Sequence, residues 1–312
     1  MARADDDTWD ITESVGATAL GVASARAGEA AVEHPLFSDP YAQLFLDAAA
    51  ELGWKRPYSE KTLAEMAKVD PHLAERMQAM SGYAASRTKF FDDFFGAAAT
   101  HGVRQAVILA AGLDARAWRL PWPEGTVVYE IDQPKVLDFK ADTLQRHGAQ
   151  PTAGYVAVPV DLRQDWPQAL RDAGFDPEKP SAWTAEGLLP YLPAEAQDLL
   201  FDRIADLSAP GSRVAVEAFS PTFFAPDVLA RRTAQIRQAR EAAARAGETH
   251  PPDTDQLFYL EDRGDVTDWW RDHGWVVTAT DVHDLMAGYG RPAAPDVEDA
   301  TPHSVFVEGQ LP

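Results

Sequence analysis

Apolar positions change their period once along this chain. Up to residue 104 they recur every three or four residues, the spacing of one helical face. Asp10-Ile11-Thr12-Glu13 offers an N-cap and an early acid, and the small residues from there to Ala31 suit a closely packed helix. Asp39-Pro40 ahead of Tyr41, Leu44, Phe45 and Leu46 reads as a cap with proline at the first helical position. Leu73, Met77, Met80, Ala84, Phe91 and Phe94 form a further helical stripe. Arg87 falls in a slot where that stripe wants an apolar residue.

From Gln105 the pattern becomes short apolar runs. Ala106-Val107-Ile108-Leu109-Ala110 is continuous, as for a strand covered on both faces. Val127 to Ile131, Tyr155 to Val160, Ala182 to Thr184 and Arg213 to Glu217 follow, with helical patterns such as Pro134 to His147 and Ala194 to Leu207 between them. Alternation of this kind predicts an α/β fold, a mainly parallel sheet with helices on both faces. Residues 221 to 262 interrupt it with an arginine-dotted helix over Asp227 to Ala246. Trp275 to Thr280 and Ser304 to Val307 bring the strands to seven. The expected organisation is a helical cap over residues 1–104 and a core over 105–312, with a helical insertion at about 221–262.

Composition narrows the partners. The chain has 312 residues, 49 acidic and 28 basic, for a formal net charge of −21. Such a field repels phosphate backbones and anionic lipid, so neither nucleic acid nor a membrane is an expected partner. Without cysteine there is no thiolate nucleophile, disulfide framework or Cys-ligated metal, and the histidines show no metal-ligand spacing. Met1 to Asp10 is acidic and lacks the apolar segment of a signal peptide, and the run near Ala106 to Gly112 is far too short to span a bilayer. The expectation is a cytoplasmic protein.

In an open parallel sheet, ligands bind beyond the carboxyl ends of the strands. Here an acid stands at four of them: Asp114 in Gly112-Leu113-Asp114, Glu130 and Asp132, Asp161 before Leu162, and Glu186 before Gly187. A dinucleotide site needs spaced glycines, so that a pyrophosphate can approach backbone amides. This turn has one glycine and an acid two residues later, which would repel phosphate. A ligand with a nucleoside, no phosphate and a cationic end fits better, and S-adenosylmethionine (SAM) is such a ligand. Gly112 lets the chain pass close to it without a Cβ. Glu130 and Asp132 share one face of their strand, so either carboxylate can accept both ribose hydroxyls, with Asp132 nearer the end. Asp161 can accept from the adenine amino group while the Leu162 amide donates to a ring nitrogen. Arg87 can pair with the methionine carboxylate, or instead with Asp92 or Asp93.

At these residues the chain resembles a known family. The stretches are Ser14 to Ala19, Arg26-Ala27, Arg87-Thr88 with Phe91-Asp92-Asp93, Leu109 to Arg116, Glu130 to Pro134, Asp161-Leu162-Arg163 with Trp166, Ala185 to Leu192, and Arg263 to Val266. They are similar to the SAM-dependent methyltransferases common in mycobacteria and other actinomycetes, relatives of the leucine carboxyl methyltransferase that modifies protein phosphatase 2A. The resemblance implies a class I SAM-dependent methyltransferase fold (Rossmann-like): seven strands, mostly parallel with one reversed, plus an N-terminal helical cap. It implies Arg87, Gly112, Asp132, Asp161, Leu162 and Glu186 around SAM, with S-adenosylhomocysteine as product.

The acceptor is less legible. A carboxylate acceptor needs no general base, whereas a phenol or alcohol usually does. Candidate bases are His250, His283, His303 and Tyr191, and none is assigned as catalytic. Arg231, Arg232, Arg237, Arg240 and Arg245 make either a solvated helix face or part of a lid attracting an acidic acceptor. Trp9 can complete that pocket. The expected acceptor is a small-molecule carboxylic acid or phenol, and the oligomeric state is open. A nucleotide-dependent oxidoreductase and a non-catalytic SAM-binding protein are the alternatives, distinguished by NADH binding and by the lack of an acceptor cavity respectively.

Overall fold

The computed structural model describes residue 11 and residues 14–56, 58–248 and 257–312. Trp9, the expected first cap at Asp10 and the candidate base His250 lie outside the described residues. Four helices come first: α1 (Ser14–Glu29), α2 (Ala42–Glu51), α3 (Glu60–Ala67) and α4 (Leu73–Thr100). Strand–helix alternation follows, with β1 (Gln105–Leu109), α5 (Arg116–Arg119), β2 (Val127–Asp132), α6 (Pro134–Arg146), β3 (Gly154–Pro159), α7 (Trp166–Asp172), β4 (Ser181–Ala185), α8 (Ala194–Asp206) and β5 (Arg213–Phe219). Helix α9 (Pro226–Ala246) interrupts it before α10 (Val266–Asp272), β6 (Val276–Asp281), α11 (Val282–Gly288) and β7 (Ser304–Gln310).

The seven strands form one sheet in the order β3-β2-β1-β4-β5-β7-β6. All neighbours pair in parallel except β7, which runs antiparallel to both β5 and β6. The central β1 and β4 are buried throughout, which explains their unbroken apolar runs. Alternate residues point to opposite faces. Ala106 and Ile108 join one core with Leu20, Phe45, Phe91 and Phe94 of the N-terminal helices. Val107 and Leu109 join the other, with Trp183, Phe201 and Trp270. The N-terminal helices thus share the core of the sheet. Phe90 and Phe91 of α4 pack on Phe306 of β7, with ring centroids 5.0 and 6.4 Å apart. Each such ring, fully buried, stabilises the docked helix by about 2 kcal/mol.

Two local expectations shift. Met77 and Met80 are 44% and 42% exposed, so the buried face of α4 starts later, at Ala79 and Tyr83. The first turns of α4 are tied instead by polar contacts, such as Arg76 with Asp299 at 3.0 Å. Helix α2 begins after Tyr41, beyond Pro40, yet Asp39 still caps it: its Oδ1 accepts from the amides of Tyr41 and Ala42 at 3.0 and 3.1 Å.

Helix α9 packs on α3 through the buried Ala239, Ala242 and Ala243. Glu248, just past its end, accepts hydrogen bonds from the Ser59 and Thr62 hydroxyls, each at 2.7 Å. Arg231 pairs with Asp227 at 2.8 Å, and Arg245 reaches Glu65 at 3.5 Å. Among the described residues no helix is long and apolar enough to cross a membrane.

Candidate donor-binding site

The carboxyl ends of β1, β2 and β4 and the turn after β3 converge on a cavity of ≈ 480 Å³, roofed by α1. Arg87, Gly112, Asp132, Asp161, Leu162 and Glu186 all line it. Glu130 does not.

The turn after β1 carries two left-handed residues. Gly112 has φ +51°, and a Cβ there would lie 3.3 Å from the Ala19 Cβ of α1. Its amide donates to Asp132 Oδ2 at 2.6 Å, and the Gln133 amide donates to Oδ1 at 2.6 Å. Burial pushes the Asp132 carboxyl up, partly offset by these two amides. Each oxygen keeps a second lone pair for a hydroxyl donor.

Glu130 stands two residues back on the same face and is fully buried. Its carboxylate pairs with the Lys140 ammonium and accepts from the Tyr155 hydroxyl at 2.9 Å. Burial pushes it up to about 7, more than the charge of Lys140 restores. Of the two acids sharing this strand face, only Asp132 reaches the cavity, because a residue further from the strand end lies deeper in the packed layer.

Asp161 accepts from Arg163 Nε at 2.9 Å and from Gln133 Nε2 at 3.1 Å. Burial raises its carboxyl, but the Arg163 hydrogen bonds and charge outweigh this and hold it below the usual range. Leu162, next in the chain, supplies apolar wall.

At the other end of the cavity, Arg87 Nε donates to Glu186 Oε1 at 2.8 Å, and its Nη1 lies 3.4 Å from Glu217 Oε2. Burial works against the Arg87 charge, but Glu217 and Glu186 outweigh it and keep the guanidinium protonated. Asp92 and Asp93 are engaged elsewhere. Asp92 holds Arg116 and Arg119, while Asp93 pairs with Lys89 and accepts from Tyr289 at 3.0 Å. Gly187 has φ +61°, and a Cβ there would meet the Arg87 guanidinium at 3.2 Å.

Beneath Arg87 lies an ionic network that the strand-end reasoning missed. Arg116 is almost wholly buried and donates to Asp92 at 2.7 Å, to Glu186 Oε2 at 2.8 Å, to Asp114 and to the Thr88 carbonyl at 3.2 Å. Burial raises the Glu186 carboxyl, but Arg116 and Arg87 together hold it below its usual range. Asp114, the acid after Gly112, therefore faces Arg116. Glu217 anchors the far side, accepting from the Tyr83 hydroxyl and from Ser304 Oγ at 3.1 Å. A buried, five-donor arginine among apolar neighbours in Leu113-Asp114-Ala115-Arg116-Ala117-Trp118 was the available signal.

Of the candidate bases, Tyr191 lines the cavity. His283 and His303 stand near each other, 6.5 Å between ring centroids, and do not line it. Among the described residues no group of three or more His, Cys, Asp or Glu is placed to hold a metal ion.

A seven-stranded sheet with one reversed strand, carrying an acid-lined cavity at its switch point, has the class I SAM-dependent methyltransferase architecture. The sequence profile of the leucine carboxyl methyltransferase family matches residues 19–205, and the chain belongs to that family. A Mycobacterium marinum protein named "Putative S-adenosyl-L-methionine-dependent methyltransferase" is 58% identical over 311 residues, covering 99% of each chain. A Mycobacterium tuberculosis protein of the same name is 53% identical over 310 residues, again 99% of each. In fold, the chain is similar to a crystal structure of a Streptomyces avermitilis protein, at TM-score 0.52 and 16% identity over 93% of this chain and 97% of that one. The protein is a SAM-dependent methyltransferase, which displaces the oxidoreductase alternative. The cavity suits such a donor: its size is that of a cofactor site, Gly112 leaves room where a side chain would meet α1, and Asp132, held by two amides, keeps acceptor capacity for hydroxyl donors.

Proposed function

We propose that this methyltransferase transfers the methyl group to an oxygen of a small molecule, with a carboxylic acid as the preferred acceptor. In the donor cavity, Asp132 accepts the ribose hydroxyls, Asp161 and Leu162 hold the adenine, and Arg87 takes the methionine carboxylate beside Glu186. The bound donor supplies an activated methyl on sulfonium, which passes in line to the acceptor oxygen and leaves S-adenosylhomocysteine. The chain's own task is to orient both partners and exclude water. On this reading residues 1–104 act as a cap and residues 221–262 as a lid.

One observation carries the acceptor class. Beside the cavity, Tyr191 meets Phe258 at 5.1 Å, and Phe258 joins Phe219 and the stacked Phe223. Arg232 of α9 lies over both Phe223 and Phe258, at 4.9 and 5.2 Å. A guanidinium set among aromatic rings next to the cavity suits an acceptor with an apolar body that ends in a carboxylate. A carboxylate acceptor also requires no general base, in keeping with His283 and His303 lying outside the donor cavity.

The test is transfer of labelled methyl from SAM to panels of aromatic and aliphatic carboxylic acids and of phenols. Alkali-labile label in a carboxylic acid supports a methyl ester. Label confined to alkali-stable phenyl ethers, or to nitrogen, overturns the acceptor class.

A further inference from the structure

Arg263 opens the Arg263-Gly264-Asp265-Val266 stretch, which the donor cavity leaves unused. Its guanidinium bridges two segments of that cavity's wall. Nη1 donates to the Leu189 carbonyl at 2.9 Å and to Gln197 Oε1 at 3.2 Å. Nη2 donates to the Leu192 carbonyl at 3.2 Å and to the Tyr259 carbonyl at 2.9 Å. The Tyr259 amide in turn donates to the Pro190 carbonyl at 2.8 Å, and the Ala194 amide to Glu261.

These contacts join segments that sequence separates by the whole of β5 and α9. On one side stands the tight turn Leu189–Tyr191, which follows Glu186 and carries Tyr191 and Leu192 into the donor cavity. On the other stands Tyr259, which lines the same cavity and returns from α9. Arg263 itself lies outside the donor cavity. It lines a second cavity of ≈ 410 Å³ on the far side of the turn, reached from solvent past the exposed Leu260. Three of these four acceptors are backbone carbonyls. A planar fork with five donors meets four acceptors at once, which the point charge of lysine cannot.

We propose that Arg263 is a positioning residue. It holds the Glu186–Leu192 wall in fixed register with Tyr259, so that the donor cavity and the return from α9 behave as one body. The proposal rests on the donor-site reading, and its test separates the two.

The experiment is calorimetric titration of S-adenosylhomocysteine into wild type, Arg263→Ala, Arg263→Lys and Glu186→Ala, each first shown folded by circular dichroism. Saturable binding by wild type tests the donor site itself, and its failure sinks that reading rather than this one. The expected result for Arg263→Ala is affinity lower by about tenfold, the scale of one charge-assisted hydrogen bond. Arg263→Lys recovers only part of it. Methylguanidine, entering from the second cavity, restores affinity to Arg263→Ala but not to Glu186→Ala. A merely structural role would lower the melting temperature without this selective rescue. Affinity within twofold of wild type in Arg263→Ala overturns the proposal. Should that variant fail to fold, wild-type affinity in Arg263→Lys overturns it equally.

Discussion

Arg116 donates to Glu186 Oε2 at 2.8 Å while Arg87 donates to Oε1, so one carboxylate at the end of the cavity is held between a buried guanidinium and one that lines the cavity. Arg116 also holds Asp92 of α4 and Asp114 of the turn after β1. The same cation therefore ties the N-terminal helices, the donor turn and the loop after β4. Removing one member of such a network leaves unpaired charge in a low-dielectric setting.

Arg116→Met is expected to lower the unfolding free energy by about 3–5 kcal/mol, the cost of breaking a buried pair from one side. Arg116→Lys should lose most of the same stability, because one ammonium cannot reach Asp92, Asp114, Glu186 and the Thr88 carbonyl together. Urea unfolding followed by circular dichroism measures both. Wild-type midpoints would show that the network is neutral to folding.

Asp132 and Glu130 provide a contrast within one strand. Asp132→Asn should weaken S-adenosylhomocysteine binding by about ten- to hundredfold, since hydrogen bonds to a charged group contribute about 1.5–3 kcal/mol. Glu130→Gln should leave that affinity within a few-fold of wild type, because its carboxylate faces Lys140 and Tyr155. Equal losses in both variants would remove the distinction between them.

Glu130 also makes a pH prediction. Its folded value of about 7 lies above the unfolded value of 4.5. A raised acid binds its proton more tightly in the folded chain. Its contribution to stability is fully present below 4.5 and is lost as pH rises through 7. Glu130→Gln stays neutral throughout. The melting temperature of the variant minus that of wild type should therefore increase between pH 5 and pH 8. A difference that is flat, or that falls, contradicts the shift.

The donor turn offers two substitutions of opposite sign. Ala110 sits at φ +50°, where an L-residue is strained by about 1–2 kcal/mol. Ala110→Gly should raise the melting temperature, with part of the gain offset by the entropy of a freer unfolded chain. Gly112→Ala combines the same strain with a Cβ 3.3 Å from Ala19. It should lower the melting temperature and weaken donor binding together. Differential scanning fluorimetry with and without S-adenosylhomocysteine reads both. A stabilised Gly112→Ala would mean that the turn adopts another conformation in solution.

Periodicity alone was enough for the seven strands, their alternation with helices and the helix α9, because burial on one or two faces writes itself into residue spacing. The acids at the strand ends were legible for the same reason: a strand's end can be read along the chain, and ligands gather there. Arg87 stood out as a charge in an apolar stripe. Met77 and Met80 misled, since a helical pattern does not tell how much of a helix's length the rest of the fold covers. Choosing between Glu130 and Asp132 needed the depth of each residue in the packed layer. The partners of Arg87, Arg116 and Arg263 needed more, because Glu217, Asp92 and the carbonyls of Leu189 and Tyr259 come from distant segments. A charge taken out of water must find its partners in space, and only the folded chain decides which ones are within reach.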